Sequence, residues 1–105
     1  MKNYFDFKKE HPDKIILFRI NDYYQAFNGD AQLVSKALNL SIMNQRVVDQ
    51  FGLAPLTGFH EKELEGNLSL LNRAGYTVAL CDFDENLSQH SVDRTIVRIS
   101  VPDES

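Results

Sequence analysis

Tyr23 and Gln25 are the residues whose types and spacing suit them to gripping something flat with polar edges. They follow a nearly unbroken apolar run, Ile15 to Phe18, and an Asn21-Asp22 turn or bulge signal. In extended backbone successive side chains point to opposite faces. Tyr23 and Gln25 then share one face, and Tyr24 takes the other. An aromatic ring beside an amide offers a stacking surface together with hydrogen-bond donors and an acceptor. The same residues allow a plainer reading, in which both tyrosines close the edge of the core with their hydroxyls in water.

Other candidate groups give less chemistry. His60-Glu61-Lys62-Glu63-Leu64 opens like a zinc-protease helix, but Leu64 stands where the second histidine is required. His11 and His90 fall in loops with no partner at ligand spacing, so no metal is expected. Cys81 sits inside an apolar strand and reads as a small core residue, not a nucleophile. The glycines are isolated and form no phosphate loop. Asp82, Asp84 and Glu85 have the chemistry to bind a hard cation weakly, though a solvated loop accounts for them better. With no catalytic set and no cofactor expected, the chain reads as a binding module, not an enzyme.

The elements that must position Tyr23 and Gln25 follow from pattern. Residues 3–11 read as a short helix or arm with an aromatic face, stopped by Pro12. A strand at 15–20, buried on both faces, comes next. Asp30 can cap a helix over about 31–38, and Asn39 is a left-handed terminator. Ser41 to Met43 can be a short strand and 44–53 a connection. Ala54 to Phe59, broken by Pro55 and Gly58, reads as an edge strand or ordered loop. His60 to Ala74 is the clearest helix, with Leu64, Leu68 and Leu71 as its stripe and Gly75 closing it. Strands at 76–83 and 95–101 flank a polar tract at 84–91, and residues 103–105 fray. Strands and helices alternate, so the class is α/β (α+β-like), with a mixed central β-sheet flanked by about three helices.

The totals fit one domain spanning residues 1–105, with 43% hydrophobic and 25% charged residues. No window reaches the roughly 18 apolar residues of a membrane span, and no signal peptide is expected. A single cysteine suits a reducing, cytoplasmic setting. The net charge of −4 is uneven. Residues 1–40 carry six basic side chains against five acidic, and residues 41–105 carry five against ten. Independent nucleic-acid binders are usually basic, so a DNA role here needs a local basic face or a partner that supplies the electrostatics.

Lys9-Glu10-His11-Pro12-Asp13-Lys14, continuing through Leu17-Phe18-Arg19-Ile20-Asn21-Asp22-Tyr23-Tyr24-Gln25-Ala26-Phe27, resembles the opening of MutS-type mismatch repair proteins, P-D-x-x-L-L-F-R-x-G-D-F-Y-E-x-F. Asp30-Ala31 matches the D-A helix that follows there, and Leu40-Ser41-Ile42-Met43 looks like I-T-L-T. Pro55-Leu56-Thr57-Gly58-Phe59-His60 looks like P-M-A-G-V-P-Y-H, shortened by two residues. Gly75-Tyr76-Thr77-Val78-Ala79-Leu80-Cys81-Asp82 resembles G-Y-x-V-A-I-C-E. Val92 to Arg98 with Pro102 resembles V-x-R-x-V-V-R-x-x-T-P-G. The resemblance covers about residues 8–102 and concerns only the family's N-terminal mismatch-recognition domain, standing alone. The family's ATP-driven switching is therefore not carried over.

The resemblance implies a mixed sheet flanked by helices and a role at mismatched or distorted double-stranded DNA. In the family the F-x-E aromatic stacks on the mispaired base and the carboxylate hydrogen-bonds to it. By position these are Tyr23 and Gln25. Tyrosine keeps the π-face, worth about 1–3 kcal/mol per stacked base, but its hydroxyl needs a partner inside the stack. Glutamine removes a negative charge near phosphates and adds donors, which favours general DNA binding over discrimination. Arg19, Lys14, Lys36 and Arg46 are the candidates for phosphate contact. The alternative is a protein-interaction module that kept the fold and lost DNA reading, with a larger repair or replication protein as its partner.

Overall fold

The computed structural model describes residues 4–46, 53–83 and 94–102. Ile15–Phe18 is the centre of the molecule, with all four side chains buried. A continuous apolar run needs cover on both faces and strand partners on both edges. β1 (Ile15–Ile20) has both. It pairs antiparallel with β2 (Tyr23–Phe27) and parallel with β5 (Val78–Phe83). β3 (Met43–Arg46), β4 (Leu53–His60) and β6 (Arg94–Ser100) complete a six-stranded mixed sheet in the order β3-β4-β2-β1-β5-β6. The expected mixed α/β architecture is the one observed.

Among the described residues, three α-helices make the outer layers. α1 (Tyr4–Glu10) covers one face, placing Tyr4 and Phe7 against Ile16, Phe18, Phe27, Leu56, Ala79 and Cys81. α2 (Asn28–Leu38) and α3 (Leu64–Arg73) cover the other, where Val34, Leu68 and Leu71 pack on Ile15, Leu17, Tyr24, Ala26, Phe59, Val78 and Leu80. This split follows the period-2 alternation of each strand. α2 ends at Asn39 in the left-handed conformation (φ 57°), and Gly75 (φ 95°) follows α3, as their residue types foretold.

Several local expectations change. Asp30 does not cap α2. It lies inside the first turn, buried, and accepts hydrogen bonds from the Tyr4 hydroxyl (2.5 Å), the Ile16 amide (3.0 Å) and Lys8 Nζ (2.9 Å). A buried carboxylate requires such partners, and here they tie α1, β1 and α2 together. The segment around Pro55 is an interior strand, not an edge. β2 pairs with β4 only from Leu56 onward, while Pro55 faces Asn44 of β3. The proline therefore removes no donor from the β2 ladder. The helix expected from His60 begins as a 3₁₀ turn over Glu61–Glu63. The polar tract 84–91 and the tail 103–105 lie outside the described residues.

Candidate nucleic-acid interface

The β1–β2 connection is a two-residue turn, because Ile20 pairs with Tyr23 directly. Asn21 occupies it with φ 55°, a left-handed backbone that asparagine tolerates better than most residues. The turn is tied down from two sides. The Asp22 carbonyl accepts the Glu61 amide at 2.8 Å. Arg19 Nε donates to the Asn21 carbonyl at 3.1 Å, while its terminal nitrogens reach Glu61 (2.5 Å) and Asp82 (3.4 Å). Burial works against the Arg19 charge, but Glu61 and Asp82 outweigh it and hold its pKa above the ordinary value.

From this braced turn β2 alternates as its sequence requires. Tyr24 and Ala26 enter the core under α2 and α3. Tyr23, Gln25 and Phe27 point to the face that α1 covers, and they are progressively more buried: exposed, half-buried, buried. α1 shelters the Phe27 end, so the Tyr23 end is open, and Tyr23 is 50% exposed. Tyr23 and Gln25 thus stand side by side on one face, next to solvent.

β4 supplies their cross-strand neighbours. His60 is opposite Tyr23, with ring centroids 5.3 Å apart and planes at 81°, an edge-to-face contact. His60 Nδ1 accepts the Lys62 amide at 3.1 Å, capping the 3₁₀ turn. Gly58 is opposite Gln25. A Cβ there would sit 2.6 Å from the Tyr24 carbonyl oxygen and 3.1 Å from Gln25 Cγ. Only glycine lets the two strands and the Gln25 side chain approach this closely.

The other candidates fall elsewhere. Arg19 lies one turn of the pleat from Tyr23 but on the opposite face, beside Tyr24. Lys14 is at the far end of β1, about 20 Å away at roughly 3.3 Å per residue, with Nζ 3.4 Å from Asp13. Lys36 is exposed in the last turn of α2, on the helical face away from Tyr23. Arg46 ends β3, paired with Leu53. Hence Tyr23 and Gln25 are brought together, and the cations are dispersed. The ionisable groups at the hairpin end are Asp22, Glu61 and Asp82 against Arg19, with Lys62 and Glu63 following on the 3₁₀ turn, an acidic balance. Among the described residues, no three His, Cys, Asp or Glu side chains gather as a metal site, and no helix is long and apolar enough to cross a membrane.

Sequence reading missed His60 and Gly58 as parts of this site. Their signal was the adjacency of β2 and β4, which only the fold provides. A mixed sheet with helices on both faces, carrying an aromatic-x-amide pair beside a two-residue turn, defines the class: a small α/β domain. The family model for MutS domain I matches residues 1–103, and this chain belongs to that family. The DNA mismatch repair protein MutS of Chlorobium phaeobacteroides is 38% identical over 104 residues. Those of Salinibacter ruber and Thermosipho melanesiensis are 34% and 36% identical. Each alignment covers 97% of this chain and 12% of the relative, so the chain spans about an eighth of the length of these relatives.

Proposed function

We propose that this domain is a non-enzymatic module of DNA mismatch repair that contacts double-stranded DNA through Tyr23 and Gln25. The observation that carries this reading is their placement. A half-exposed aromatic and a half-buried amide share one face beside a hairpin turn braced by the Glu61 amide, and the resemblance assigns these positions to the family's base-reading pair. Tyr23 enters from the minor groove as a wedge, and Gln25 offers both donor and acceptor to the base it unstacks. The acidic surround and dispersed cations mean that phosphate neutralisation contributes little, so a larger repair protein supplies most of the electrostatic affinity. Being a recognition element, the domain needs no cofactor, and a cytoplasmic location agrees with its buried, inert Cys81.

Fluorescence anisotropy at low and moderate salt tests this, comparing homoduplex, G·T and single-base-loop duplexes for the native protein and Tyr23→Ala. Binding tighter than about 100 μM at low salt, weakened by Tyr23→Ala, supports it. No binding to any duplex at that level removes DNA contact by the isolated chain.

A second reading, protein interaction without DNA, has its own observation. Val97, Ile99 and Val101 are 50%, 46% and 62% exposed along β6 and its continuation, at the edge of the sheet. An apolar edge strand is a ready template for a partner. Recovery of a larger repair or replication protein by the native domain, lost on Ile99→Lys, favours this reading.

A further inference from the structure

We infer that His60 is a positioning residue for Tyr23: it fixes the direction in which the tyrosine ring projects. The two residues are directly cross-strand on β2 and β4, and their rings meet edge-to-face at 5.3 Å and 81°. A half-exposed tyrosine on a strand otherwise samples more than one χ1 well, since both the trans and gauche-minus rotamers are common in strands. The imidazole can restrain it because the imidazole is itself restrained. Its Nδ1 accepts the Lys62 amide, which sets the ring plane and leaves the neutral ring's proton on Nε2. The adjoining Glu61 amide is in turn bonded to the Asp22 carbonyl beside Tyr23, so turn, ring and 3₁₀ cap close a small circuit around the tyrosine. A wedge that arrives in one rotamer avoids the ordering cost on binding. His60 acts through Tyr23, so its effect on DNA rests on the proposed function, but its effect on the free protein does not.

The native protein, Tyr23→Ala, His60→Asn and the double variant test this. Asparagine keeps a side-chain acceptor suited to the capping position while deleting the ring. In the DNA-free protein, NMR couplings about the Tyr23 Cα–Cβ bond are expected to show one rotamer, and to become averaged in His60→Asn. Averaging already present in the native protein, or couplings unchanged in His60→Asn, overturns the inference whether or not DNA binds. In anisotropy titrations with a G·T duplex, His60→Asn is expected to weaken binding about two- to tenfold when Tyr23 is present, the size of one aromatic pair. It is expected to have no effect in the Tyr23→Ala background. Equal loss in both backgrounds makes His60 an independent DNA contact and overturns its positioning role. Native-like binding by Tyr23→Ala defeats the proposed function instead and leaves the coupling result standing.

Discussion

The Tyr4 hydroxyl lies 2.5 Å from Asp30 Oδ2 and 3.0 Å from the Phe27 carbonyl, so the first helix is moored to the end of β2 and the start of α2 through one phenol. Asp30 also holds Lys8 and the Ile16 amide. Replacing Asp30 with alanine removes an acceptor shared by three donors, of which the Tyr4 hydroxyl keeps the Phe27 carbonyl and Lys8 Nζ the Lys14 carbonyl. We expect a loss of about 3 kcal/mol or more in urea unfolding, since breaking a buried charged network costs more than its net worth. Tyr4→Phe removes the hydroxyl shared by Asp30 and the Phe27 carbonyl and is expected to cost about 1–3 kcal/mol.

The same phenol makes a prediction at high pH. Burial, and then the neighbouring Asp30 charge, push the Tyr4 pKa well above its ordinary value of 10.0. A raised folded pKa stabilises fully below the unfolded value and loses that contribution as pH rises past it. The unfolded chain ionises first, and stability declines by up to about 1.4 kcal/mol per pH unit above 10 from this group alone. Unfolding midpoints of the native protein and Tyr4→Phe, measured from pH 8 to 11, should therefore converge as pH increases.

Arg19 is committed to Asn21, Glu61 and Asp82, with about a third of its side chain exposed. Arg19→Ala is expected to destabilise by about 1 kcal/mol, modest because the pairs are partly solvated. If the guanidinium serves the hairpin and not a phosphate, the slope of log affinity against log salt stays unchanged in the variant. A slope shallower by about 0.9 would instead mark a lost phosphate contact.

Gly58→Ala is expected to be disproportionately costly for a single methyl. The Cβ would meet a backbone oxygen that cannot rotate away, as well as Gln25 Cγ. We expect a loss of about 1–3 kcal/mol, with amide chemical-shift changes centred on Tyr24 and Gln25.

Much of the fold was legible because it is written in local pattern. The buried run at Ile15–Phe18, the Leu68 and Leu71 stripe and the left-handed Asn39 and Gly75 each announce themselves within a few residues. The shared face of Tyr23 and Gln25 was legible too, from strand alternation alone. What was not legible depends on which strands become neighbours. Pro55 looked like an edge marker because nothing in the sequence reveals that β2 ends one residue short of it. Asp30 looked like a cap because its true partners, Tyr4 and Ile16, are distant in sequence. His60 shows in the sequence only as the start of an incomplete metal motif, because its cross-strand neighbour Tyr23 is set by the pairing of β2 with β4.

The parallel pairing of β1 with β5 joins Ile15 to Val78 across more than half the chain. The hairpin bearing Tyr23 and Gln25 can zip locally, but one edge of β1 remains open until β5 arrives, so folding must wait on a large loop closure. Until then the apolar run Ile15–Phe18 is exposed to other chains, a template for aggregation. The hairpin bearing Tyr23 and Gln25 is therefore not a transplantable peptide. Its shape is a property of the completed sheet, set in part by a strand more than fifty residues further along the chain.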